Sequence, residues 1–241
     1  MTTAFEPLPA SLWEDLRRAS VATLSTALIR RGLRATMMAG IFPLRAGVRL
    51  MGEALTVRYV PMREDLADPN LLANPDYPQR KAIETIGPGQ VLVIDARGDA
   101  HAGVLGEILI ARMMRRGAAG LVTDGAVRDA GGIRALDWPV FAAGAHPAQH
   151  TDRHLAVGMN EPVACGGVLV MPGDVLVGDD DGVVVLPRAL AAEIARAARE
   201  QDELEAFVLE KIQGGSSIVG VYPPGEATRA EFARRQGHPS A

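Results

Sequence analysis

A mixed α/β architecture, with strands running in both directions, is the fold class that the sequence predicts, and three observations lead there. Helical and strand-like segments alternate through the middle of the chain, as where helical text at 107–116 gives way to the apolar run Gly120-Leu121-Val122-Thr123-Asp124. Further on, strand-like runs at 163–165, 168–171, 175–178 and 183–186 follow one another with no helix between them. Parallel neighbours need long crossovers, so this succession argues against a fully parallel, doubly wound sheet. The chain of 241 residues, 48% hydrophobic, can bury a sizeable core within one α/β domain.

The elements follow in order. A helix is expected at 12–19 with Ser11 as its N-cap, and a second from Val21 to Arg31, begun by Ser20 and stopped by Gly32. Strand text covers 54–60. The stretch 61–80 is polar and broken by Pro69, Pro75 and Pro78, too long for a tight turn, as lids and interface loops often are. A short helix at 81–85 ends at Gly87-Pro88-Gly89 and leads into a strand at 91–95. After the helix at 107–116 come strands at 120–124 and 139–143. The runs at 163–165 and 168–171 pair around Gly166-Gly167, and those at 175–178 and 183–186 form a hairpin across Asp179-Asp180-Asp181-Gly182. A long helix follows over 188–212, with Leu190, Ile194, Ala197, Ala198, Leu204 and Val208 as its apolar series and Gly214-Gly215 as its stop. The segment 217–224 reads as a short strand entering a polar tail.

Composition removes several classes of function. A net charge of −4 gives no basic footprint for nucleic acid. One cysteine, Cys165, excludes an internal disulfide and a thiolate zinc cluster, and it reads as a small buried residue. No apolar run is long enough to span a membrane, and Met1 to Glu6 lack the basic start and apolar core of a signal peptide, so a cytoplasmic protein is expected.

Chemistry concentrates where Gly106-Glu107 opens one helix and, after twenty intervening residues, Arg128-Asp129 follows a strand. A helix start beside a strand end is a common way to build a site in α/β proteins. Carboxylates there suit a hard divalent cation, and the helix N-terminus suits an anionic ligand. With Gly89-Gln90-Val91-Leu92-Val93-Ile94-Asp95, the run from Gly120 to Asp129, Pro172-Gly173-Asp174-Val175 and Gly182-Val183-Val184-Val185, this spacing resembles the RraA-like proteins and class II 4-hydroxy-4-methyl-2-oxoglutarate aldolases over residues 20–215. The resemblance implies one domain over 1–241 of swivelling β/β/α type, flanked by an N-terminal helical segment and a polar C-terminal tail. It implies Mg²⁺ or Mn²⁺ held by Asp129, with Glu107 acting through a water. Arg128 and the stretch Gly106, Glu107, Ile108 and Leu109 would bind a small 2-oxo acid, Arg128 and Glu107 serving the chemistry. The expected reaction is metal-dependent lyase cleavage to pyruvate, as aldolase or oxaloacetate decarboxylase, with no nucleic-acid or membrane partner. The expected assembly is a homotrimer or homohexamer.

Each residue also has a plainer reading. Asp129 is a favoured N-cap for a short helix at 131–134, Glu107 complements a helix dipole, Asp124 holds a turn, and Arg128 makes a surface ion pair. His101 is a loop histidine, either exposed or a general acid or base. His150 and His154 have an i, i+4 spacing that would need a helix to ligate metal, and they read as loop. Asp179-Asp180-Asp181-Gly182 starts like a calcium loop but lacks the remaining ligands. One departure from the family pattern is plain: a Gly-Asp-Asn turn common among aldolase-like members is replaced by Pro61-Met62-Arg63-Glu64-Asp65 and the segment to Arg80. Arg63 and Arg80 would suit a different substrate. Two alternatives therefore stand beside the lyase: a metal-dependent dehydratase or hydrolase of a sugar-derived 2-oxo acid, and a non-enzymatic RraA-type regulator of ribonuclease E.

Overall fold

In chain order the strands are β1 (Phe42–Pro43), β2 (Leu50–Pro61), β3 (Gln90–Asp95), β4 (Gly120–Val127), β5 (Val140–Ala145), β6 (His154–Met159), β7 (Val163–Cys165), β8 (Val168–Val170), β9 (Val175–Asp179) and β10 (Gly182–Leu186). The helices are α1 (Ala10–Arg18), α2 (Val21–Arg30), α3 (Pro78–Thr85), α4 (Glu107–Arg115), α5 (Ala130–Ala135), α6 (Ala191–Gln213) and α7 (Glu226–Arg235). The computed structural model describes residues 6–65, 67–68 and 70–236.

Strands β2, β3, β4 and β5 lie side by side in parallel, with α3, α4 and α5 as their crossovers. The long strand β2 organises the rest. Its first residues pair antiparallel with β9, and its last pair antiparallel with β6 across a bulge between Arg58 and Tyr59. β10 extends the sheet beyond β9 and β1 extends it beyond β5. Met37, a few residues before β1, bridges to Val184 of β10, so the two ends of the sheet path are drawn together. The result is a mixed, nearly closed, barrel-like sheet, in agreement with the expected β/β/α class.

Side chains alternate across this sheet, as strand geometry requires. Val91 and Val93 of β3 point into an inner cluster with Phe141, Leu176, Val183 and Val185, and the β7–β8 hairpin fills it with Val163, Cys165, Val168 and Val170. Leu92 and Ile94 point outward, toward α3 and α4. On another outer face, Val175, Val177, Val184 and Leu186 pack under α1, α2 and α6. Both faces of the sheet are therefore buried, which explains why β3 and β10 read as nearly continuous apolar runs rather than alternating ones.

Several expectations need correction. α1 begins at Ala10 after an extended Pro9, so Ser11 lies inside the first turn and makes no cap. α3 starts earlier than expected, because Pro78 can occupy a first helical position. β6 has no counterpart among the expected strands. In α6, which starts at Ala191, Ile194, Ala198, Leu204 and Val208 are buried as the pattern requires, whereas Ala197 is exposed and Leu190 only half-buried. Residues 217–224 form turns, not a strand, and the tail beyond them folds into α7 against α6. Among the described residues no helix is long and apolar enough to cross a membrane.

Candidate active site

The carboxyl ends of parallel strands are where α/β sheets leave a crevice, because each chain departs there into a loop and the next helix begins. Here β3 ends at Asp95 and its loop delivers Gly106 to the start of α4, while β4 ends at Val127 and delivers Arg128 and Asp129 to the start of α5. Backbone bonds fasten the two exits together: the Arg128 N–H donates to the Leu105 carbonyl at 2.8 Å, and the Val104 N–H to that of Ala126 at 2.8 Å. Gly103 has to be small. A Cβ there would lie 2.3 Å from Cγ of Arg128.

The β3 loop is held by carboxylates that are spent on backbone. Asp124 is buried; its Oδ1 accepts from the Ala96 N–H at 2.7 Å and its Oδ2 from the Gly98 N–H at 2.9 Å. Burial pushes its carboxyl above the ordinary range, against those N–H bonds. Asp124 thus has a structural duty, but at the β3 exit rather than at the turn at Gly125, whose N–H donates to the Thr123 hydroxyl. Asp99 accepts from the His101 ring at 2.8 Å and from Arg153 at 2.8 Å, and His101 itself is exposed.

Asp129 precedes α5 in the left-handed region, at φ 57° and ψ 35°, which Asp tolerates better than most residues. Its side chain does not cap α5. It turns instead to the start of α4, where Oδ2 accepts a long 3.3 Å bond from the Glu107 N–H, and a Cβ on Gly106 would come 2.4 Å from it. The Glu107 carboxylate rests on Gly132, where a Cβ would meet Oε2 at 2.0 Å. Two glycines thus let two carboxylates converge on the mouth of one helix. Arg128 forms no ion pair among the described residues, and its Nε is buried with no hydrogen-bond partner. The surface ion pair considered for it is absent.

Arg128 and Asp129 border a cavity of about 170 Å³ lined also by Gly106, Ile108 and Leu109, whereas the Glu107 side chain, lying against Gly132, is outside that lining. The first N–H groups of α4 lack carbonyl partners within the helix and carry its positive dipole end, so the cavity is suited to an anion. Among the described residues no cluster of three or more His, Cys, Asp or Glu side chains is placed to hold a metal. The available donors, one exposed carboxylate with a second nearby, do not make a zinc cage. They do match Mg²⁺ or Mn²⁺, hard cations that keep several waters and take one or two protein carboxylates together with substrate oxygens.

The same cavity is lined by Arg80, Gln149 and His150, which the motif did not disclose. His150 begins a 3-10 turn, 150–152, just ahead of β6. It is buried, its ring stacks with Tyr59 and Tyr77 at centroid distances of 5.9 and 6.0 Å, and its Nε2 has no partner. Burial, aided by the positive charge of Arg80, lowers its pKa to about 4, so it is neutral at pH 7. His150 opens a 3-10 turn and His154 starts a strand, so the loop reading of this pair is corrected, while no α-helix brings the two together as ligands. The hairpin carboxylates of Asp179 and Asp180 are taken up by the N–H groups of Val21 and Gly47, which leaves the structural reading of that turn. Cys165 is fully buried, and burial pushes its thiol pKa up.

Comparison with known proteins shows the family and the fold. A family model described as RraA-like, Aldolase/RraA, matches residues 21–185. A Halalkalibacterium halodurans protein named "Putative 4-hydroxy-4-methyl-2-oxoglutarate aldolase" is 38% identical over 122 residues, covering 50% of this chain and 57% of that protein. The chain therefore spans little more than half the length of that relative. A crystal structure of an uncharacterised protein from Pseudomonas syringae pv. tomato superposes with TM-score 0.78 at 27% identity, covering 90% of this chain and all of that one. Streptomyces coelicolor RraAS2, described as an unusual member of the RNase ES inhibitor RraA protein family, gives TM-score 0.74 at 36% identity, over 85% of this chain and 98% of that one.

Proposed function

This chain belongs to the RraA-like, Aldolase/RraA family, and on that premise we propose that it is a divalent-metal-dependent carbon–carbon lyase that releases pyruvate from a 2-oxo acid. The single observation that carries the reading is the cavity where the α4 N-terminus, the unpaired Arg128 and the carboxylate of Asp129 meet, with the Glu107 carboxylate beside it against Gly132. Asp129 would hold Mg²⁺ or Mn²⁺ directly and Glu107 through a water, and the ion would supply Lewis acidity toward the 2-oxo group and its neighbouring carboxylate. The N–H groups at Ile108 and Leu109 receive that carboxylate, the Glu107 N–H being directed to Asp129 Oδ2. In a retro-aldol step the C4 hydroxyl gives its proton to water in the cavity and becomes the carbonyl of the departing fragment, the C3–C4 bond breaks, its electron pair moves toward the 2-oxo oxygen, and water supplies the proton that C3 takes up. The guanidinium of Arg128 faces that growing negative charge. Protonation at C3 then gives pyruvate. With a carboxylate at C4 in place of the carbinol, the same electron flow expels CO₂, so oxaloacetate decarboxylation accompanies aldol cleavage.

The test is pyruvate release from a panel of 2-oxo acids, with Mg²⁺, with Mn²⁺ and with EDTA. Turnover that EDTA abolishes and either metal restores is the expected result. Full turnover by verified metal-free protein removes the metal, and release from no member of the panel removes the lyase. A second reading, regulation of an RNA-degrading enzyme, draws on the likeness to RraAS2. It makes no use of the Arg128–Asp129 cavity, and inhibition of ribonuclease E that survives Asp129→Asn is its signature. Arg80 in the cavity keeps the dehydratase alternative in the substrate panel.

A further inference from the structure

Arg80, Gln149 and His150 border the cavity yet have no part in the reaction just described. They arrive from two places in the fold. Arg80 is the third residue of α3, at the end of the segment in which this chain departs from the family pattern, and its Nε is tethered to the Leu72 carbonyl at 3.1 Å. No carboxylate among the described residues pairs with it. His150 is held by its aromatic stack, 7% exposed, with its Nε2 buried and unpartnered. A buried imidazole nitrogen without a partner is costly, and native proteins keep few of them. A guanidinium on a cavity wall without a carboxylate is likewise a recognition group in search of an anion. The lower His150 pKa is attributed in part to both Arg80 and Arg128, so the two guanidinium charges bear on one ring.

We propose that Arg80 and His150 form a second anion subsite in this cavity, and that Arg80 selects a 2-oxo acid carrying a second carboxylate over one that carries a single carboxylate. This inference rests on reading the cavity as a 2-oxo acid site. The first carboxylate lies at the α4 N-terminus and Arg128. The second is received by the guanidinium of Arg80 and, from the neutral ring of His150, by one N–H. A ligand with one carboxylate leaves the buried His150 nitrogen unpaired and the Arg80 guanidinium without an anion, and that difference is the basis of the selection. The segment that replaces the family's usual turn thereby serves recognition, because it positions Arg80.

Calorimetric titration with pyruvate and with 2-oxoglutarate in the presence of Mg²⁺ separates the possibilities, because 2-oxoglutarate has the second carboxylate but no C4 hydroxyl to cleave. Wild type is expected to bind 2-oxoglutarate more tightly than pyruvate. Arg80→Ala should weaken 2-oxoglutarate by at least about tenfold and leave pyruvate within about twofold. Arg80→Lys should recover part of the loss, since charge is restored without the planar fork. His150→Phe, which retains the ring stack, should weaken 2-oxoglutarate selectively, and thermal melts check that each variant folds. Equal weakening of both ligands by Arg80→Ala, or weakening of neither, overturns the subsite. Binding of pyruvate with no preference for 2-oxoglutarate overturns it while sparing the lyase reading. Binding of neither ligand by wild type overturns both.

Discussion

Asp129 holds a left-handed backbone and a carboxylate that caps nothing of its own helix, a combination that structural duty alone does not require. Asp129→Asn keeps the shape and the tolerance for positive φ while removing the charge. It is expected to lower metal-dependent turnover by on the order of 100-fold or more with an unchanged melting temperature; near-native turnover would return Asp129 to a structural role. Arg128→Lys keeps charge but loses the fork, and should reduce kcat by about 10²–10³ while the Mg²⁺ concentration for half-maximal activity stays put. An unaltered kcat takes Arg128 out of the chemistry. His150 gives a pH prediction. Its pKa falls from an ordinary 6.5 to about 4 in the fold, so the unfolded chain takes up a proton that the folded one refuses as pH drops through that window. The associated stability is fully present above about 6.5 and is lost on descending toward 4. Melts of His150→Phe should show a shallower decline between those pH values than wild type; parallel curves would contradict the assignment. At this scale the spacing of Glu107, Arg128 and Asp129 was legible because one helix–strand–turn passage joins them, and Arg128 and Asp129 do line one cavity. The sequence marks Arg80 as a substrate-selecting cation and His150 as a doubtful metal ligand, but that they share one cavity was not legible, since only the packing of α3 and of the turn before β6 against the sheet carries them there.

Elements whose signals are local were legible, and those that depend on neighbours were not. The β9–β10 hairpin announces itself with Asp-Asp-Asp-Gly between valine runs, and α2 with Ser20 and Gly32 at its ends. β6 hides because its inward positions are His154, Ala156 and Gly158, so the apolar alternation that marks a half-buried strand is missing. α7 hides for the opposite reason: it buries only Thr228 fully, and two prolines precede it. Ser20 is the junction at which element-level stability can be read. Its hydroxyl accepts the Thr23 N–H, and Asp202 of α6 accepts the Ser20 N–H at 2.6 Å and the Thr23 hydroxyl at 2.5 Å. Ser20→Ala removes the cap and leaves the backbone link to Asp202. It should cost about 1 kcal/mol, a melting decrease of roughly 2–4 °C for a domain of this size, with activity unchanged because α2 is remote from the cavity. A melting temperature equal to wild type would mean that Asp202 alone secures the helix start.

The whole molecule leaves apolar surface where a monomer has no use for it. Leu209, Ile218 and Tyr222 are exposed along a groove between α6 and the turns at 217–224, with Val219 beside them. Ile108 is 84% exposed although it borders the candidate active site. Exposed patches of this kind commonly mark contacts between chains, and an apolar side chain left open at the mouth of a polar cavity is placed where an adjoining chain would cover it. The family resemblance supplies the expected stoichiometry, a trimer or a pair of trimers, and the acids of α6 limit what that face can meet. Glu203 is occupied by Arg199 and Glu210 by Arg235, whereas Asp202 and Glu205 border the groove. Light scattering at micromolar concentration should therefore report three or six times the 25.5 kDa chain mass. Specific activity should fall on dilution in step with that mass, since opening the contact uncovers Ile108 and the cavity beside it. A monomer that retains full activity across the dilution series would refute the assembly and leave the exposed Ile108 as ordinary surface.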